Sequence, residues 1–74
     1  MSHLTHLYSK CPLLLARMQE DAREGVFDWD WPVTSWQSLH YMSKLAGRPI
    51  RREEGITRTM DEIERKLTQE ALVV

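Results

Sequence analysis

The chain has 74 residues, of which 42% are apolar and 28% charged, and a formal net charge of −1. This length allows one small domain, residues 1–74, whose core buries only about 60% of the surface the unfolded chain exposes. The composition excludes a disordered tail, a collagen-like repeat and a low-complexity linker, and the balanced charge argues against binding nucleic acid by bulk charge alone.

The apolar run Leu13–Ala16 falls far short of the roughly 20 residues a spanning helix needs, so no membrane role is expected. A single cysteine, Cys11, forms no internal disulfide and fits a reducing compartment. The expectation is a soluble, cytoplasmic protein.

In chain order, Leu4, Leu7, Tyr8 and Cys11 fall on one helical face and predict a short helix over about His3–Ser9. Pro12 disfavours helical geometry at Cys11, so a second helix is predicted from Pro12 to Glu24, the alternative being one long helix kinked at the proline. Leu14, Met18 and Ala22 mark its buried side, and Gly25 stands where a left-handed cap belongs.

Helical spacing then stops. Phe27, Trp29 and Trp31 alternate with Asp28 and Asp30, a period of two that sets the aromatics on one side of an extended connector. Pro32 bars the segment from a central strand, and no second strand is evident to pair with it. Thr34 and Gln37 have capping-box spacing ahead of a third helix, Ser35–Ala46, with Trp36, Leu39, Met42, Leu45 and Ala46 as its apolar stripe and Gly47 as its stop.

Residues 48–57 are polar and basic, with Ile50 and Ile56 the only large apolar side chains. A second capping box, Thr59 with Glu62, predicts a last helix over Met60–Leu72. Ile56, Met60, Ile63, Leu67, Ala71 and Val74 recur every three or four residues along it. Three or four short amphipathic helices are unstable separately and must bury one another, so the predicted class is an all-α domain with an extended acidic-aromatic connector.

Catalytic chemistry finds little footing. His3 and His6 are spaced to share a metal but lack an anchored third ligand, and Cys11 fits a small buried hydrophobe better than a nucleophile. His40 lies on a surface ridge with Trp36 and Lys44. The carboxylate pairs Glu20/Asp21, Glu53/Glu54 and Asp61/Glu62 are sequence neighbours that point about 100° apart on a helix, so none converges on a substrate. No glycine-rich phosphate loop or zinc spacing is present. The expectation is a non-enzyme with no catalytic residues, metal or cofactor.

Charge is segregated. Glu20, Asp21, Glu24, Asp28 and Asp30 face only Arg23, whereas Lys44, Arg48, Arg51, Arg52 and Arg58 outweigh Glu53 and Glu54. A helix-turn-helix reading of the second half is poor, because charge and Gly55 stand where a recognition helix would pack. The acidic-aromatic segment has two uses: its tryptophans plug the core, or an indole beside Asp28 and Asp30 anchors a partner that carries Arg or Lys.

The sequence therefore predicts a small regulator that binds and modulates another protein, of inhibitor, antirepressor or accessory-factor type and phage-like in character. Its expected contacts are Asp28, Trp29, Asp30, Trp31 and Trp36, with Arg48, Arg51 and Arg52 as a second patch. The expected partner is a protein, including one with a basic, nucleic-acid-facing surface. The alternative is a small nucleic-acid-binding transcriptional regulator that uses segment 44–58. The apolar C-terminal stripe and tail suit core packing or a homodimer.

Overall fold

Pro12 opens a helix rather than kinking one. The computed structural model describes residues 8–72, so most of the predicted helix His3–Ser9 lies outside the described residues. Tyr8–Lys10 form a turn closed by the Cys11 N–H, which donates to the Tyr8 carbonyl at 2.9 Å. Helix α1 then runs Pro12–Arg23. Proline suits this first position because its missing N–H would have no intrahelical partner there. Leu14 and Met18 are fully buried on its inner face.

The C-terminus of α1 closes on Gly25, whose φ of 78° is open to a residue without a Cβ. Gly25 N–H donates to Ala22 O, and Val26 N–H and Phe27 N–H both donate to Asp21 O. This is the Schellman pattern, which satisfies carbonyls left over at the helix end and swings the chain back toward the core.

Helix α2 spans Trp36–Ala46 and buries Ser38, Tyr41 and Met42. Its cap is Ser35, whose Oγ accepts the Ser38 N–H at 3.2 Å. The predicted Thr34–Gln37 box is therefore displaced by one residue, because the turn that brings Ser35 N–H onto Pro32 O sets Ser35 at the helix mouth. Gly47 ends α2 in the left-handed region.

A single 3-10 turn, Arg52–Glu54, leads into helix α3, Ile56–Leu72. This helix starts four residues before the predicted Met60. Thr59 is buried inside it, with its hydroxyl on Gly55 O at 3.1 Å, and Glu62 bonds Arg48 instead of capping. Gly55 at φ 85° makes the break that lets the helix begin at Ile56. The residues taken for a cap thus lie in the second turn, and Ile56, Met60, Ile63 and Leu67 keep their common face toward the interior.

The described residues form an all-α fold with no strand. α3 packs against both α1 and α2 and serves as the common wall of the core. Met18, Met42 and Met60 meet there with Tyr8, Phe27 and Tyr41. Unbranched thioethers fit the irregular gaps that tilted rings leave. Among the described residues no helix is long and apolar enough to cross a membrane.

The polar side chains of α3 fasten the neighbouring elements by their ends. Cys11 gives no side-chain cap to α1, and two backbone donors of the first turn are satisfied from 50 residues away. Leu13 N–H reaches Glu64 Oε2 at 3.1 Å and Leu14 N–H reaches Glu64 Oε1 at 2.8 Å. At the far end of α2, Lys66 Nζ donates to Ala46 O at 3.2 Å. A carboxylate at a helix N-terminus and an ammonium at a C-terminus both complement the helix dipole.

Candidate partner-binding surface

The connector that carries the predicted contacts is held by its aromatic side chains. Phe27 is buried, and its ring centroid lies 5.0 Å from Trp29, 5.5 Å from Trp31 and 4.8 Å from Tyr41. Trp29 also meets Tyr8 edge-on at 6.3 Å. Edge-to-face arrangements suit the ring quadrupoles and place three large apolar groups against the core. The alternation read from the sequence survives as alternating burial, with Asp28 and Asp30 exposed between half-buried tryptophans. The backbone is not straight, however. Asp30 N–H donates to Asp28 Oδ1 at 2.8 Å and Trp31 N–H to Asp28 O at 3.1 Å, so the aspartate folds the segment into an Asx-type turn.

Trp36 behaves differently from its neighbours. Its spacing sets it on the apolar stripe of α2 and it is also an expected contact; the structure leaves it 70% exposed. As the first helical residue it sits at the mouth of α2, on the solvent side of a face whose interior positions go to Ser38, Tyr41 and Met42. Among the described residues neither Asp28 nor Asp30 enters an ion pair. The structure thus brings Trp29 and Trp31 together on the core and leaves Asp28, Asp30 and Trp36 facing solvent along one nine-residue stretch.

Asp21, counted with the solvated acids, is instead only 7% exposed. Its Oδ2 accepts the Tyr41 hydroxyl at 2.6 Å and the Arg17 Nε–H at 3.2 Å. Burial, followed by this hydrogen bond to the carboxylate, pushes the Tyr41 hydroxyl well above its ordinary range. Burial likewise raises the Cys11 thiol, and Glu64 and Asp61 add to that shift.

Arg48 does not join Arg51 and Arg52 as a free cation. Its Nε and Nη2 donate to the two oxygens of Glu62, each at 2.8 Å, while Nη2 and Nη1 reach Glu54 at 2.7 and 3.2 Å. Nη1 also donates to Pro49 O. The guanidinium holds Glu54 at about 2 and lowers Glu62 as well, with the Arg51 N–H adding to the effect on Glu54. The network fastens the loop after α2 to α3, a structural use of all three charges.

Arg51 and Arg52 are exposed at the rim of a cleft that sequence reasoning did not anticipate. Val33, Leu39, Met42, Ile50 and Ile56 line it, and its volume is about 30 Å³. The signal that pointed toward it was the isolation of Ile50 and Ile56 in a polar stretch. A second, more open groove lies between α1 and α3, bordered by Leu13, Ala16, Arg17, Glu20, Leu67 and Ala71. Among the described residues no group of three or more His, Cys, Asp or Glu is placed to hold a metal ion. His3 and His6 lie outside them.

Compared with protein-family models, curated proteins and solved structures, the chain matches none.

Proposed function

We propose that this chain is a non-catalytic regulatory protein that binds another protein through the solvent-facing side of its connector. The observation that carries the reading is Trp36, a large indole left 70% exposed and close in sequence to Asp28 and Asp30, which form no ion pair among the described residues. Exposed tryptophan is the side chain most enriched among interface hot spots, and flanking carboxylates select a partner surface rich in Arg or Lys. Trp29 and Trp31 serve this surface indirectly, by fixing the turn that presents Asp28 and Asp30. A partner that normally holds nucleic acid on a basic face fits this chemistry, which gives the inhibitor, antirepressor or accessory-factor reading. The buried free thiol suits a reducing compartment, so we assign the protein to the cytoplasm.

The test is capture of a partner from native lysate, followed by titration of the purified partner against wild type, Trp36→Ala and the double variant Asp28→Asn/Asp30→Asn. Each variant is expected to weaken binding at least about tenfold with unchanged helical circular dichroism. A partner bound equally by all three overturns the assignment.

The nucleic-acid alternative now rests on the exposed Arg51, Arg52 and Arg58 without Arg48. It requires salt-sensitive retention on duplex DNA that disappears in an Arg51→Ala/Arg52→Ala variant.

A further inference from the structure

The cleft beneath Arg51 and Arg52 pairs an apolar floor with a cationic rim, and the acidic connector makes no use of either. We propose that it is a second docking site, which takes an acidic peptide bearing one aliphatic anchor residue. The proposal is independent of whether the connector contacts a partner.

The floor sets the anchor. Val33, Leu39, Ile50 and Ile56 surround a space of about 30 Å³, room for the tip of one aliphatic side chain. Ile50 and Ile56 are half-buried, and a bound methyl group would complete their burial.

The rim sets the charge. Among the described residues Arg51 and Arg52 form no ion pair, because the nearby Glu54 is already taken by Arg48 and by the Arg51 backbone N–H. Two free guanidiniums beside an apolar slot are complementary to carboxylates on either side of an anchor residue. A single nucleic-acid strand is the poorer fit. Such strands are held by a basic track along successive phosphates and by several stacking rings, whereas no aromatic ring lines this cleft and an exposed Glu53 stands next to the arginines.

The probe is a short fluorescein-labelled peptide with a central leucine flanked on both sides by glutamates, followed by fluorescence anisotropy. Saturable binding is expected, and Trp36→Phe should bind the peptide as wild type does. Replacing the leucine by alanine, or using the Arg51→Gln/Arg52→Gln variant, should each weaken binding about tenfold with helical circular dichroism unchanged. Asp28→Asn/Asp30→Asn should bind the peptide as wild type does, which separates this site from the connector. The proposal is overturned by any of three results: no saturation by about 1 mM, equal binding of a lysine-flanked peptide, or tighter binding of oligothymidylate than of the acidic peptide.

Discussion

Glu64 should be worth more to this fold than any other exposed-type residue, because it completes the first turn of a helix to which it does not belong. At the start of α1 the Cys11 N–H is taken by Tyr8 O, Pro12 has none, and Leu15 N–H already bonds Cys11 O. Only Leu13 and Leu14 remain as orphan donors, and both go to Glu64, at 3.1 and 2.8 Å. Glu64→Ala removes the cap, worth about 1 kcal/mol, and the carboxylate's favourable place at the helix dipole, worth about 0.5 kcal/mol. It also strands the Leu14 N–H on a residue with no solvent exposure, at a further cost of about 1 kcal/mol, whereas Leu13 at the surface can turn to water.

The sum, about 2 to 3 kcal/mol, is a large part of the roughly 5 kcal/mol that a domain of this size commands. With a urea slope of about 1 kcal/mol per molar, the unfolding midpoint should fall by about 2 to 3 M. Glu64→Gln, which keeps an acceptor but loses the charge, should lose about 1 kcal/mol. Cys11 supplies a second, local readout: it is 2% exposed at the helix mouth, and its labelling by a thiol reagent should speed up in Glu64→Ala as that end opens. Glu70, exposed further along α3, is the control. If Glu64→Ala shifts the midpoint no more than Glu70→Ala does, the long-range cap contributes nothing and the reasoning fails.

Tyr41→Phe leaves the ring packing and removes the 2.6 Å bond to buried Asp21, so urea unfolding should show a loss of about 2 kcal/mol; a loss under about 0.5 kcal/mol refutes the assignment. Because Tyr8 and Tyr41 both hold their protons more tightly folded than unfolded, their contribution is intact below the ordinary value of 10.0 and declines as pH rises above it. Thermal unfolding across that range should therefore be less pH-dependent in Tyr41→Phe. In acid the sign reverses: Glu54, lowered from 4.5 to about 2, and Glu62, also lowered, stabilise the fold above 4.5, and that contribution is lost as pH falls toward about 2. An Arg48→Gln variant should lack this acid-dependent loss, and parallel acid titrations of the two proteins would contradict the network. Gly47→Ala should cost more than Gly25→Ala. Both glycines have positive φ, a penalty of about 1 kcal/mol for alanine, but a Cβ at Gly47 falls 2.5 Å from Lys66 Nζ and displaces it from Ala46 O, whereas Gly25 faces open space. Equal midpoints would mean that the Lys66 bond is idle.

The features legible in the sequence are those that depend on a residue's near neighbours. The Pro12 start, the Gly25 and Gly47 stops and the buried spacing of Leu14, Met18, Met42, Met60 and Ile63 all follow from backbone preference and a 3.6-residue period. That Phe27, Trp29 and Trp31 share a side follows from a period of two, but that this side faces the core is decided by their packing. The capping residues were misplaced by the same local logic. Thr34–Gln37 and Thr59–Glu62 carry the right spacing, but spacing alone does not fix a helix start, which Ser35 after the Pro32 turn and the break at Gly55 set instead.

Of the candidate surface, the sequence supplied Asp28, Asp30, Arg51 and Arg52 but not their surroundings. It could not separate Trp36 from Trp29 and Trp31, since exposure of an indole depends on which face of α2 the core claims. Nor could it tell Asp21 from Asp28, or Arg48 from Arg51, because the difference lies in partners 14 to 20 residues away. By itself the sequence determined that the chain is helical, where its breaks fall and which side chains prefer the interior. Only the tertiary structure decided which charges are spent on holding helix ends together and which are left facing solvent, because charge pairing across elements depends on distance in space rather than on order along the chain.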